Sequence, residues 1–252
     1  AATAQPDDTQ ITLDDVTGWQ VGDQIVIAPS GFDYQEAEDA VITALEGNTA
    51  TLDRPLRYVH FGELLEYADM DFDMRAEVGL LTRNIVLRGD EIARETGFGG
   101  QVAGMPGSVM RVHGVEMVHM GQQAQLGRYP IHFHLAGDVT GSYIRKSSIH
   151  HAFNRGITVH GTHRWLIQDN IIYDTIGHAF FIEDGVEHEN ILERNLGLVT
   201  RRPQQPLIPS DTQHGPATFW LSNPNNIMRG NVAAGSAGSG IWIDPPERST
   251  GT

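Results

Sequence analysis

Ile131-His132-Phe133-His134, Ile157-Thr158-Val159-His160 and Phe180-Phe181-Ile182-Glu183 read as three copies of one short segment. Each alternates, with apolar residues in the first and third places. A period of two marks a strand with one buried face. Ile131, Phe133, Ile157, Val159, Phe180 and Ile182 are therefore expected inside. His134, His160 and Glu183 are expected outside, at one place in successive strands. His134 and His160 are 26 residues apart, and His160 and Glu183 are 23 apart. Such a repeat, with one matched strand per unit, implies a solenoid of β coils.

The pattern runs both ways. Upstream, Met110-Arg111-Val112-His113-Gly114 matches Ile157-Thr158-Val159-His160-Gly161. Downstream, Phe219-Trp220-Leu221-Ser222 and Ile241-Trp242-Ile243-Asp244 share the phase. The expected outward column is His113, His134, His160, Glu183, Ser222 and Asp244. A second row pairs Val118-His119 with Ile149-His150 and Ile172-Tyr173. Adjacent parallel strands lie about 4.8 Å apart, so His134, His160 and Glu183 can share one ion, with His113 beside them. Two imidazoles and a carboxylate suit zinc or another first-row metal and leave positions for water or substrate. The same column also reads as a structural ladder of stacked polar residues, and a slip of one residue would turn it inward.

At 252 residues the chain makes one elongated domain or two small ones. Its 28 glycines suit many tight turns. The absence of cysteine removes disulfide and thiolate chemistry. No apolar run reaches the length of a membrane span, and the first residues do not read as a signal peptide. The start at Ala1-Ala2-Thr3-Ala4 reads as a mature terminus after cleavage or an artificial boundary. A net charge of −15 argues against nucleic-acid binding through a general field. It also repels an acidic polysaccharide unless a basic patch or bound cations compensate.

Ile11-Thr12-Leu13 starts the first strand, and Gly22-Asp23 turns the chain into a buried strand at 24–28. Residues 40–45 and 49–52 form a hairpin about Gly47-Asn48. Residues 1–60 are expected to form a small β cap and residues 61–252 the solenoid. Asp69, Asp71 and Asp73 alternate with Met70, Phe72 and Met74. They make either a calcium site or a solvated acidic edge. Residues 75–87 should enter the first coil, 91–108 are a glycine-rich loop, and 201–217, with Pro203, Pro206, Pro209 and Pro216, are an insertion bordering the cleft. The last coil has no evident cap, and a homo-oligomer contact is one way to cover it.

Several runs resemble the cell-migration-inducing hyaluronidases and their transmembrane relative. They are residues 75–85, His119-Met120-Gly121-Gln122-Gln123, residues 127–138, Ser148-Ile149-His150-His151, Thr158-Val159-His160-Gly161, residues 177–185 and residues 218–226. The resemblance spans roughly residues 16–244 and implies a right-handed parallel β-helix. It also implies part of the domain named for eight glycines and extracellular or cell-surface work on hyaluronan, with metal dependence in some members. The chain departs from that family in lacking cysteines and in carrying His113 where the family motif is acidic. It looks like a bacterial relative.

The expected function is a secreted, metal-dependent, polysaccharide-degrading enzyme. Glycoside hydrolysis needs paired carboxyl groups. Glu183, Asp184 and Asp138 are the candidates, with Glu77 and Asp73 as outsiders. His178 or His132 would carry a proton. Arg75 or Arg128 would meet an anionic sugar group, and Trp220, Trp242 and Phe181 would stack on sugar rings. A lyase, a binding-only β-helix and an oxidative histidine-site metalloenzyme are the alternatives.

Overall fold

The division within the chain falls at Thr82/Arg83, giving the units Ala1–Thr82 and Arg83–Thr252. The computed structural model describes residues 2–208 and 214–250. Pro209, within the expected insertion, lies outside them.

The N-terminal unit contains β1 (Gln10–Thr12), β2 (Gln24–Ile27), β3 (Glu38–Glu46), β4 (Thr49–Leu52), β5 (Leu64–Tyr67), β6 (Met70–Asp73) and β7 (Val78–Leu80). Five strands form an antiparallel sheet in the order β1-β4-β3-β2-β7. The hairpin turns at Gly47-Asn48 as the sequence indicates, with Leu45 opposite Ala50 and Glu46 opposite Thr49. Ile25, Ile27, Ile42, Ala50 and Leu52 make its core. The expected boundary at residue 60 is too early, because Val78–Leu80 pairs with Ile25–Ile27 instead of entering a coil. β5 and β6 form a separate exposed hairpin, so Asp69, Asp71 and Asp73 lie on a solvated edge.

The second unit winds three strands per coil. It begins with β8 (Ile85–Arg88), α1 (Glu91–Thr96), β9 (Val102–Gly104), β10 (Arg111–His113) and β11 (Val115–Val118). The expected glycine-rich loop thus holds a helix and a strand. Next come β12 (Ile131–Asp138), β13 (Tyr143–Arg145), β14 (Ser148–Ala152), β15 (Ile157–His163), β16 (Leu166–Gln168) and β17 (Ile171–Ile176). β18 (Phe180–Ile182), β19 (Ile191–Glu193), β20 (Leu196–Arg201), β21 (Ala217–Leu221), β22 (Ile227–Arg229), β23 (Val232–Ser236) and β24 (Ser239–Ile243) complete it. They stack as three parallel sheets: β9-β12-β15-β18-β21-β24, β10-β13-β16-β19-β22 and β8-β11-β14-β17-β20-β23. This is a right-handed parallel β-helix, as expected. Ile131, Phe133, Ile157, Val159, Phe180, Ile182, Phe219 and Leu221 lie in its interior with Trp165 and the inward residues of the other sheets.

A ladder of amides joins the coils. Asn170 donates through Nδ2 to Asn195 Oδ1 (3.0 Å) and Ile144 O (3.0 Å). Asn195 repeats this to Asn231 Oδ1 (2.9 Å) and Ile167 O (2.9 Å). A second ladder runs through Asn190 and Asn226. The residue before each first-ladder asparagine has positive φ: Asp169 55°, Arg194 49° and Gly230 58°.

Two predictions follow from these contacts. Asn195→Ala should strand the buried Asn170 amide and the Ile167 carbonyl, costing about 3 kcal/mol in denaturant unfolding. In the N-terminal unit, burial alone would raise the Glu38 pKa, but hydrogen bonds from Arg57, His60 and Tyr58 outweigh it and leave it lowered. A lowered carboxylate pKa stabilises the fold above the unfolded value of about 4.3 and loses that stabilisation as pH falls through the lowered one. Thermal melts should show the N-terminal unit weakening below about pH 4, with Glu38→Gln flattening that dependence.

Candidate functional site

Parallel register builds the site on the outward face of the sheet that contains β12, β15 and β18. Ile131 pairs with Ile157, Phe133 with Val159 and His134 with His160. Ile157 pairs with Phe180 and Val159 with Ile182, so Glu183 follows in the row of His160. The Glu183 amide donates to Val159 O (3.1 Å). Three side chains from successive coils therefore meet where the strands turn.

His134 Nδ1 and His160 Nδ1 are 3.0 Å apart. His160 Nδ1 is 3.9 Å from Glu183 Oε2, and His160 Nε2 is 2.8 Å from Asp184 Oδ2. The last contact is close but bent out of line with the ring N–H, since Asp184 Oδ2 has no aligned hydrogen bond. Two lone pairs repel at that distance, so the proton of a neutral His160 belongs on Nε2 and Nδ1 is bare. On the other side, Glu183 Oε1 faces Tyr129 OH (3.5 Å) and Arg155 Nη1 (3.7 Å). Arg155 is 1% exposed, and its guanidinium lies 4.0 Å from the Phe181 ring centroid. Glu183 Oε2 is buried without a hydrogen-bond partner among the described residues. So is His132 Nδ1.

Burial raises the Glu183 pKa against the attraction of Arg155 and His160. It lowers His132 to about 4, helped by the charges of His134, His160 and Arg128. Burial and then His160 lower His134. Burial raises Tyr129 to about 12. Burial thus holds the His132 and His134 rings toward their neutral forms beside a desolvated acid.

The other expected residues divide. His113 is not in this column. Its strand β10 pairs with β13 in another sheet, and His113 Nδ1 accepts from Arg145 Nε (3.0 Å). The strand beneath β12 is β9, where a Cβ on Gly104 would come within 2.3 Å of the Phe133 ring. The second row slips by one residue at its start, because Val118 rather than His119 pairs with His150. His178 Nδ1 accepts from Ala217 N (2.9 Å), and its ring packs on Phe181 and Trp220. Trp220 is outward in phase but buried, and Trp242 is half-buried under His214 at 4.8 Å. Neither Trp220 nor Phe181 offers an open face to a sugar. Arg128 is exposed. Arg75 belongs to the N-terminal unit, where Asp73 and Asp14 hold it. Asp138 bonds Thr140 and Arg164, which hold it near about 2, and it joins a surface bridge instead of the cluster.

Tyr129, Arg155 and Glu187 are functional candidates that periodicity does not reveal, because all three sit in turns. Tyr129 lies inside the quoted run 127–138, which is the one signal for it.

Among the described residues, no three histidine, aspartate or glutamate side chains converge closely enough to form a finished metal centre. No helix among the described residues is long and apolar enough to cross a membrane.

Comparison with known proteins bears on the whole unit. Human fibrocystin-L is 40% identical over 286 residues, covering 96% of this chain and 7% of that protein. Human cell surface hyaluronidase CEMIP2 is 38% identical over 288 residues, covering 95% of this chain and 20% of that protein. Mouse cell migration-inducing and hyaluronan-binding protein is 37% identical over 280 residues, covering 92% and 20%. The chain thus spans a fifth or less of these relatives. The model of the CEMIP β-helix family matches residues 97–252, which include every strand from β9 to β24. By that match and these identities, the chain belongs to the CEMIP β-helix family.

Proposed function

We propose that the β-helix unit cleaves a hyaluronan-class glycan at the His134–His160–Glu183 column, with a divalent first-row ion as cofactor. The carrying observation is the pair of Nδ1 atoms 3.0 Å apart, facing a partnerless carboxylate oxygen. Tetrahedral ligand atoms about a zinc ion lie about 3.4 Å from each other. The spacings of 3.0 Å and 3.9 Å bracket that value, and a turn of the Glu183 carboxylate closes the wider one. Asp184 orients His160 from behind, as a carboxylate does for many metal-binding imidazoles. Two imidazoles favour a first-row ion over calcium, which prefers oxygen ligands.

Such an ion, when bound, supplies a Lewis acid and an activated water. The chain's own residues do the rest. Arg155 and Tyr129 hold the far oxygen of Glu183. His132 is the proton acceptor: burial holds its ring neutral, and its Nδ1 has no hydrogen-bond partner among the described residues. Hydrolysis sends the water oxygen to the anomeric carbon and a proton to the leaving oxygen. The names of CEMIP2 and of the mouse hyaluronan-binding protein support the substrate class and a cell-surface or extracellular setting. A binding-only module is the second reading. It is favoured by the match to fibrocystin-L, whose name states no activity, and by the incomplete convergence of the three ligands.

Purified protein should carry about one first-row ion per chain by elemental analysis. It should release reducing ends from hyaluronan but not after chelation. His160→Ala should lose both metal and release while keeping the β spectrum. Unchanged metal content in that variant sinks the metal assignment, and binding without release selects the second reading. The charge of −15 opposes a polyanionic substrate, so the KM for hyaluronan should fall as salt rises toward about 0.15 M. A KM that rises with salt over that range contradicts it.

A further inference from the structure

Glu187 has no part in the chemistry above, yet none of its surface is exposed. Its carboxylate takes backbone N–H groups from two coils. Oε1 accepts from Gly161 N (2.8 Å) and Asp184 N (3.0 Å). Oε2 accepts from Asp184 N (3.1 Å) and Gly185 N (2.8 Å). Gly161 directly follows His160, and Asp184 and Gly185 directly follow Glu183. One side chain therefore ties together the corners from which the site residues project.

The corners are shaped to present those N–H groups. Gly161 has φ +52°, and a Cβ there would come within 2.6 Å of Leu135. Gly185 has φ +89°. Turned inward and away from water, the three amides need acceptors, because an unpaired buried N–H is costly. A carboxylate meets all three. A glutamine would keep one oxygen and set an NH2 group against the remaining donors.

We infer that Glu187 is a positioning residue for the site: it fixes the turn that carries Glu183 and Asp184 against the bend at Gly161, within β15, that follows His160. It thereby sets both the 2.8 Å approach of Asp184 to His160 and the distance from His160 to Glu183. Its catalytic consequence rests on the function proposed above. Its structural consequence, the orientation of His160, does not.

The test compares Glu187→Gln with Asn195→Ala, which loosens the same helix on a different sheet. Both are judged folded by circular dichroism and ranked by melting temperature. In the metal-free protein, 15N shifts of the His160 ring should report the Nε2–H tautomer in the parent and in N195A. They should report a mixture of tautomers in E187Q. On hyaluronan, E187Q should lose kcat by about 100-fold with KM little changed, the scale expected for a misplacement of about 1 Å. N195A, assayed well below its melting temperature, should keep kcat. If E187Q does not fold, Glu187→Asp, which keeps the charge but is one methylene too short to bridge both turns, is read in the same two assays. A folded variant with the parent tautomer and the parent kcat overturns the proposal. If the parent chain cleaves no glycan, the functional reading fails, while the ring shifts still decide whether Glu187 orients His160.

Discussion

A stacked amide is the constraint from which the rest of this β-helix takes its geometry. Asn170, Asn195 and Asn231 each follow a residue with φ between 49° and 58°. A left-handed conformation costs an L-residue roughly 1–2 kcal/mol, so Asp169 and Arg194 adopt it against their preference. The turn so formed aims the next amide along the helix axis. There it donates to the coil below and receives from its neighbour at the spacing of parallel strands. An amide with both roles filled permits one register only. A slip by one residue would leave buried donors and acceptors unmet on every coil. The insertion after β20 shows how strong this is. It lengthens the spacing from Asn195 to Asn231 to 36 residues, yet Phe180 still stacks on Phe219 at 4.6 Å.

Much of that register is written in the chain. In β12 and β15 inward apolar residues alternate with outward polar ones, and in β18 the inward Phe180 and Ile182 keep the same phase. The amide ladders went unread, although their residues recur in phase. Asp169-Asn170-Ile171, Arg194-Asn195-Leu196 and Gly230-Asn231-Val232 keep step with the strands that follow them. The failures have physical causes. Met110 to Gly114 copies the pattern of Ile157 to Gly161, but belongs to a different side of the coil. The true neighbour, Val102–Gly104, is short and ends on a glycine demanded by the bulk of Phe133, so it reads as loop.

The site was half legible for a related reason. His134, His160 and Glu183 come one per coil from strands, and strands repeat. Tyr129, Arg155 and Glu187 come from turns of unequal length, and nothing in the spacing points to them. Phase also gives direction without giving exposure. Phe181 and Trp220 point away from the interior, as alternation requires, yet they are covered by His178 and by each other. The outer wall of this sheet is a second packed layer, and the cluster about Glu183 sits within it.

That enclosure narrows the chemistry to the place of a single proton. Asp184 assigns a hydrogen to His160 Nε2 and leaves Nδ1 bare. Without a cation, His134 Nδ1 must then carry the hydrogen that lies between the rings. Were a cation held at this corner by His134, His160 and Glu183, that hydrogen would have to sit on His134 Nε2 instead. Burial holds His134 toward its neutral form, which both arrangements need. Neither requires a change of fold, only a tautomer and a carboxylate rotation. Thus His134, His160 and Glu183 fall short of a finished metal centre while sharing one corner: the corner is built by the backbone and the amide ladders, and the proposed ion would have only side-chain torsions to set within it.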